Sequence, residues 1–544
     1  MNKYYKHITN FFSIPYPISN IIITLLAIIL IRFSIEHWID GFVYQNLSFY
    51  IYGLLHNILI FTLFFIACVF LLKKIALLPT QISINISIFT FLLILLPPLV
   101  DWIISVKFFN GNEFLDYYLF DNLKGLTHSF ITFFGNRPRD GITYGTRTFI
   151  LFLISFLTIL TWSTTKNILR AVSMLFSIYV VAFIASSFPS LIAYVILPQH
   201  FAVTKSAIAG FVVSPTTILG NQIANPLDAL NIKMSLVYLL MLVSIVLFIS
   251  YKYNRTIFIS LLKNIRPVQT FYHIGLLIVG MYIAIIFDNA IILPNFFTTI
   301  AFILLCIAII FAWYSTVIFN DCVDQKIDII SNKSRPLIQG TIDIESYKKL
   351  GILFFILSLF ITILISKTAI VLLLAYHALS FIYNTKPLRL KKVPVISSFI
   401  AAIASFFIVL IGFITISPDH SINNFPHNIT ILLIISYTIS LPIKDLKDVD
   451  GDKKNNIYTL PVLFGIKTSR IIIAVSIFFS FMLSIFTLGT NSLLLPALLA
   501  GTLSFWTLVG QRKRKFIFNS KRVLFIIFLI VSLYSVALAF SIIN

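Results

Sequence analysis

The chain has 544 residues, of which 59% are hydrophobic and 11% charged, with a mean hydropathy of +0.99 and a net charge of +21. So apolar a composition excludes a soluble globular protein and predicts a polytopic all-α membrane protein. The Lys and Arg residues fall in short clusters between apolar runs, which argues against a nucleic-acid surface and for positive loops on the cytoplasmic side of a membrane.

The first apolar run, Ile21 to Ile31, is followed by charged and bulky residues rather than by a small-residue cleavage site, so it reads as a membrane helix and not as a signal peptide. A bilayer core of ~30 Å needs about 20 apolar residues per helix. That ruler finds six spans in residues 1–255, near 19–38, 50–72, 84–106, 148–164, 171–197 and 233–250. Little charge is expected inside them, which weighs against a transporter. Asp101 with Pro97 and Pro98 marks either a functional break in the third span or its end. The long segment from Lys107 to Arg147 holds an amphipathic stretch, Phe114 to Phe134, and the run Gly135-Asn-Arg137-Pro-Arg139-Asp-Gly141; loops of this length are commonly functional or disordered. Ala207 to Gly220, interrupted by Ser214-Pro215, reads as a short interfacial helix or a re-entrant segment. Cys68, Cys306 and Cys322 form no CxxC pair and read as small core residues, while His128, His200 and His273 are scattered and read as structural.

Residues 256–544 form a second domain of nine spans, near 271–288, 297–319, 347–365, 369–384, 394–416, 429–446, 468–488, 491–510 and 522–543. All but Lys367 of the 24 Lys and Arg residues from 256 onward then fall on one side of the membrane. The cluster Arg512 to Lys515 belongs to this pattern and would also attract anionic membrane lipid.

Two aspartate runs of equal spacing follow the second and sixth of these spans: Asp321, Asp324 and Asp328, then Asp445, Asp448 and Asp452. Four crossings separate them, so both face the same side. Steps of three and four residues predict each trio on one helix face, at the membrane rim. Carboxylates so clustered repel one another unless a cation lies between them, and Mg²⁺ favours a few carboxylates together with phosphate oxygens. Asn332-Lys-Ser-Arg335-Pro-Leu-Ile-Gln-Gly340 and Tyr383-Asn-Thr-Lys386-Pro-Leu-Arg389-Leu-Lys391-Lys392 add cations on that side, and Arg335 can fork to phosphate oxygens. The many Phe and Tyr residues could stabilise an allylic cation, although no individual ring is assignable.

These motifs resemble the UbiA superfamily of intramembrane prenyltransferases. The resemblance rests on NDxxDxxxD at Asn320 to Asp328, RPLxxG at Arg335 to Gly340, YxxxPLRLK at Tyr383 to Lys391, and KDxxDxxGD followed by Thr459-Leu-Pro461 and Gly465, with Arg266-Pro267 at the start. It implies a nine-helix bundle, preceded here by about six further helices. It also implies Mg²⁺ held by the six aspartates as the catalytic and metal set, with Asn320, Arg335, Tyr383 and Lys391 binding substrate. The implied reaction moves a prenyl group from a polyprenyl diphosphate to a lipid or aromatic acceptor, such as a glycerol-phosphate lipid or a quinone precursor, in the cell membrane with the Asp motifs facing the cytoplasm. Ile396-Ser397-Ser398 stands where the family commonly carries Gly-Asn, which bears on the acceptor. A different class, a transporter or flippase with a lipid-diphosphate binding module, stays open, as does a protein partner for the N-terminal domain, in which no family is recognisable.

Overall fold

The computed structural model describes residues 11–39, 41, 47–108, 117, 119–120, 122–135, 142–197, 204–454, 457–510 and 520–543. Among these, thirteen helices are long and apolar enough to cross a membrane, and two shorter apolar helices, Ala369–Asn384 and Arg522–Leu538, accompany them. Helices satisfy their own backbone hydrogen bonds, which is what a lipid solvent demands. The protein is an all-α, multi-pass membrane protein. Its chain divides into two compact units, Met1–Thr216 with Ile223–Val243, and Thr217–Gln222 with Ser244–Asn544. Residues 136–141, His200 and the cluster Arg512 to Lys515 lie outside the described residues.

In the first unit the long helices are Ile18–Ile39, Leu47–Lys74, Tyr144–Thr165 and Ile168–Ile196, with the start of Pro226–Tyr253. The third predicted span is a composite: Thr80–Phe91 tightens into a 3₁₀ turn, Leu92–Leu95, before continuing as Leu96–Phe108. Leu25, Ile29, Phe65, Ile86, Leu153 and Met174 meet in its core, where the Phe65 and Phe91 rings pack edge to face at 5.3 Å. Asn167 opens the helix Ile168–Ile196 by accepting from the Leu169 and Arg170 amides, replacing partners that a helix start lacks.

The few charged groups that these spans contain are partnered within the fold. Arg32 and Glu36 pair at 2.7 Å one turn apart. Asp101 Oδ1 accepts from the Gly145 amide at 2.7 Å, a structural role for the residue beside the proline pair. The ammonium of Lys233 donates to the Phe211 and Ser214 carbonyls at 2.8 and 3.1 Å, closing the end of the short helix Lys205–Val212. A window of about 20 residues averages such isolated polar groups away, whereas in the fold each is held by a partner, as buried charge requires.

In the second unit Pro267–Phe287 packs on Ile396–Ile416, Phe296–Val323 on Ile344–Ile365, and Leu460–Leu488 on Leu494–Val509. Two glycines let the first pair approach closely. A Cβ on Gly280 would lie 1.8 Å from the Val409 carbonyl oxygen, and one on Gly412 would lie 2.1 Å from that of Leu277. Small residues at helix contacts are the usual means of association in lipid, where apolar side chains gain little by leaving a solvent as apolar as themselves.

The prediction that each Asp trio shares one helix face is incorrect. Phe296–Val323 stops at Asp324, whose φ and ψ are −95° and 15°, and a new helix, Gln325–Ser331, begins after it. Asp321 therefore lies on the last turn, Asp324 at the break and Asp328 on the next helix. The second run divides in the same way: Asp445 is on a 3₁₀ segment, Leu441–Lys447, Asp448 is the residue after it, and Asp452 is on Val449–Lys454. Spreading each trio over a break turns like charges away from a single line, and the two short helices pack together.

Candidate active site

The break at Asp324 and the 3₁₀ segment bring the two aspartate runs to one place. The Asn332 side-chain amide donates to Asp328 Oδ1 at 3.1 Å and to Asp448 Oδ1 at 3.2 Å, so one NH₂ group bridges carboxylates 120 residues apart in sequence. Asp324, Asp328, Asp445, Asp448 and Asp452 line a cavity of about 590 Å³. Asn320, Arg335, Tyr383 and Lys391 line it as well. The wall continues from Arg266 to Phe287 along one helix, a path of about 30 Å at 1.5 Å per residue.

Most of these carboxylates are packed within the protein rather than exposed. Asp321, Asp324, Asp328 and Asp452 are buried, the first only 1% exposed. Each described partner is a cation or a neutral donor. Arg335 pairs with Asp321 at 2.7 Å and with Asp328, Lys391 pairs with Asp324, and Arg389 donates to Asp324 at 2.9 Å. Burial, ahead of neighbouring charges, pushes the Asp328 carboxyl up to about 7 against the opposing pull of Arg335. Asp452 is pushed up to about 7 by burial and then by Asp445 and Asp448. Burial also lowers the Lys391 ammonium, with Asp324 working against it.

The donor set is hard oxygen drawn from both runs, which fits Mg²⁺. In the conformation described, Asp321, Asp324 and Asp328 turn to Arg and Lys, and among the described residues no three His, Cys, Asp or Glu side chains stand in a metal-holding arrangement.

Several cavity groups escape sequence reasoning. Lys444 directs its ammonium to the Tyr383 hydroxyl at 3.0 Å and lies 5.0 Å from that ring's centre. Among the described cations on the cavity wall, Arg266, Arg335 and Lys391 have a carboxylate within 4 Å and Lys444 does not. Its place directly before Asp445 was the available signal. Tyr272, His273, Trp313, Tyr376 and Tyr437 supply the aromatic wall, with His273 stacked on Trp313 at 4.3 Å. Arg266 reaches Asp321 from 55 residues upstream, a pairing that only the fold creates. Lys386, by contrast, is exposed.

The profile of the UbiA prenyltransferase family matches residues 276–530. Over 156 residues the chain is 28% identical to a digeranylgeranylglyceryl phosphate synthase of Pyrococcus horikoshii, covering 29% of this chain and 54% of that protein. It is 27% identical over 178 residues to the Methanobrevibacter smithii enzyme of the same name, covering 32% and 62%. The chain thus spans a little over half the length of these relatives. Among solved structures, a UbiA homologue from Archaeoglobus fulgidus bound to DMAPP and Mg²⁺ superposes with a TM-score of 0.40 at 17% identity, covering 52% of this chain and 99% of the homologue. No known family matches the N-terminal half. The match to the UbiA prenyltransferase family therefore covers residues 276–530, the stretch that holds both aspartate runs and the basic segments between them.

Proposed function

We propose that the C-terminal domain is a Mg²⁺-dependent intramembrane prenyltransferase that moves a prenyl group from a polyprenyl diphosphate to the hydroxyl of a glycerol-phosphate lipid. The observation that carries this reading is the meeting of both aspartate runs, through Asn332, at one end of a long cavity with apolar and aromatic walls. The family match and the names of the relatives support the same reaction class.

Asp324, Asp328, Asp445, Asp448 and Asp452 would hold the metal, which when bound supplies positive charge to the oxygens of the departing pyrophosphate. Arg266, Arg335 and Lys391 add fixed cations to those oxygens. The allylic C–O bond breaks, the pyrophosphate takes the electron pair, the acceptor oxygen bonds to the prenyl carbon, and the acceptor's proton leaves. Trp313, Tyr272, Tyr376 and Tyr437 offer ring faces to positive charge on the prenyl carbon, and the apolar wall excludes water that would otherwise capture it.

A phosphate-bearing acceptor is favoured over a neutral phenol by Lys444. Its ammonium donates to the Tyr383 hydroxyl at 3.0 Å with the Asp445 carboxylate nearby, and it has further N–H donors to offer a phosphate oxygen. The Asp motifs face the cytoplasm in this reading, on the side that carries the positive loops.

The test incubates the purified full chain and Mg²⁺ with radiolabelled farnesyl and geranylgeranyl diphosphates and a panel of glycerol-phosphate and phenolic acceptors. A labelled prenylated glycerol-phosphate lipid with stoichiometric pyrophosphate is expected. No pyrophosphate release with any pair would refute the assignment.

A further inference from the structure

Asp321 differs from the other five carboxylates of the two runs. It is 1% exposed and does not line the cavity, although Asn320 before it and Asp324 after it do. A carboxylate offers about four lone-pair sites. Arg266 Nη2 and Arg335 Nη1 both donate to Oδ1 at 2.7 Å, and Asn264 Nδ2 and Tyr347 Oη donate to Oδ2 at 2.9 and 3.3 Å. Four donors from four residues therefore surround it. A metal ion would have to displace two guanidinium groups to reach it.

The two arginines it holds do line the cavity. Like charges converging on one oxygen would repel without the carboxylate between them. Arg266 adopts the left-handed backbone region, with φ of 56°, at the turn before Pro267, a conformation a non-glycine residue keeps only where its surroundings impose it. Asn264, two residues earlier, is fixed by the same carboxylate and by the Tyr347 hydroxyl at 2.9 Å. The whole turn is thus organised on Asp321.

We propose that Asp321 is not a metal ligand but a positioning residue, an anionic bracket that holds Arg266 and Arg335 side by side as a receptor for phosphate oxygens. This rests on the preceding proposal that a prenyl diphosphate occupies the cavity, and it divides the first Asp run by role. Asp324 and Asp328 face the cavity and belong to the metal set. Asp321 acts from behind, through the two guanidinium groups.

The test uses the full chain in lipid nanodiscs and two ligands, Mn²⁺ followed by electron paramagnetic resonance and geranylgeranyl thiolodiphosphate followed by quenching of tryptophan fluorescence. For Asp321→Asn, Mn²⁺ affinity should stay within about twofold of the wild type, while the thiolodiphosphate binds about 10- to 100-fold more weakly, the loss expected for misplaced charge-assisted hydrogen bonds. Asp448→Asn should lose Mn²⁺ affinity instead. The double variant Asn264→Asp/Asp321→Asn moves the negative charge across the 2.9 Å hydrogen bond while keeping its number, so it is the variant to use where the single change fails to fold. It should recover most of the thiolodiphosphate binding, which a lost metal ligand would not allow.

A fall in Mn²⁺ affinity in Asp321→Asn matching that in Asp448→Asn, or a folded double variant with no recovery, would overturn the proposal. Wild-type protein that takes up neither ligand would refute the prenyl diphosphate reading itself.

Discussion

Replacing Lys444 by Met separates acceptor recognition from diphosphate recognition. The substitution keeps an unbranched side chain of similar length and removes only the ammonium, whose described hydrogen bond is to the neutral Tyr383 hydroxyl at 3.0 Å. The ligand-free fold therefore loses one bond worth about 1 kcal/mol. An acceptor phosphate bound to that ammonium would lose a charge-assisted bond of about 1.5–3 kcal/mol, equivalent to a rise of about 10- to 150-fold in KM for the phosphate lipid. KM for the prenyl diphosphate should change less than about threefold, because Arg266, Arg335 and Lys391 remain. Steady-state kinetics with each substrate varied in turn measures both, and the dephosphorylated diacyl- or dialkyl-glycerol analogue serves as a control that Lys444→Met should not affect. A rise confined to the diphosphate KM, or an equal penalty on the neutral analogue, would refute the assignment of Lys444 to the acceptor.

Asp324→Asn and Asp448→Asn should each lower pyrophosphate release by about a thousandfold or more, since a site acting as one unit fails when any member is lost; a monodisperse elution profile in detergent would show that the fold survives. Asp452→Asn removes one of several crowded buried carboxylates, so the metal-free variant should melt at or above the wild-type temperature while gaining less stability from added Mg²⁺. Equal Mg²⁺ stabilisation in the two proteins would exclude Asp452 from the metal set. Gly412→Val places a branched side chain where even a Cβ lies 2.1 Å from the Leu277 carbonyl oxygen, and should destabilise the second unit by about 3 kcal/mol. An unchanged thermal melt would show that this helix pair does not depend on close contact.

The membrane-spanning helices were legible in the linear chain because hydropathy is a local property: a run of about 20 apolar residues reports a lipid-spanning helix whatever it packs against. Even the short helix Ala369–Asn384 follows from composition and flanking charge. Equal spacing within the two aspartate runs, and the even number of crossings between them, likewise need no coordinates. The breaks at Asp324 and around Asp448 were not legible, because 3.6-residue periodicity carries no sign of where clustered like charges interrupt a helix. Nor were the paired charges within the first unit's spans, since a hydropathy average discards what a partner can stabilise.

Pairing belongs to tertiary structure alone. Nothing in the order of residues says that Arg266 and Arg335 share one oxygen of Asp321, that Asn332 spans Asp328 and Asp448, or that Lys444 meets Tyr383. Composition and charge therefore settle solvent, span positions and the chemical type of the site. Folding settles which carboxylates face the cavity and which stand behind it, because hydrogen bonds act over about 3 Å, and such distances between residues remote in sequence exist only once the helices have packed.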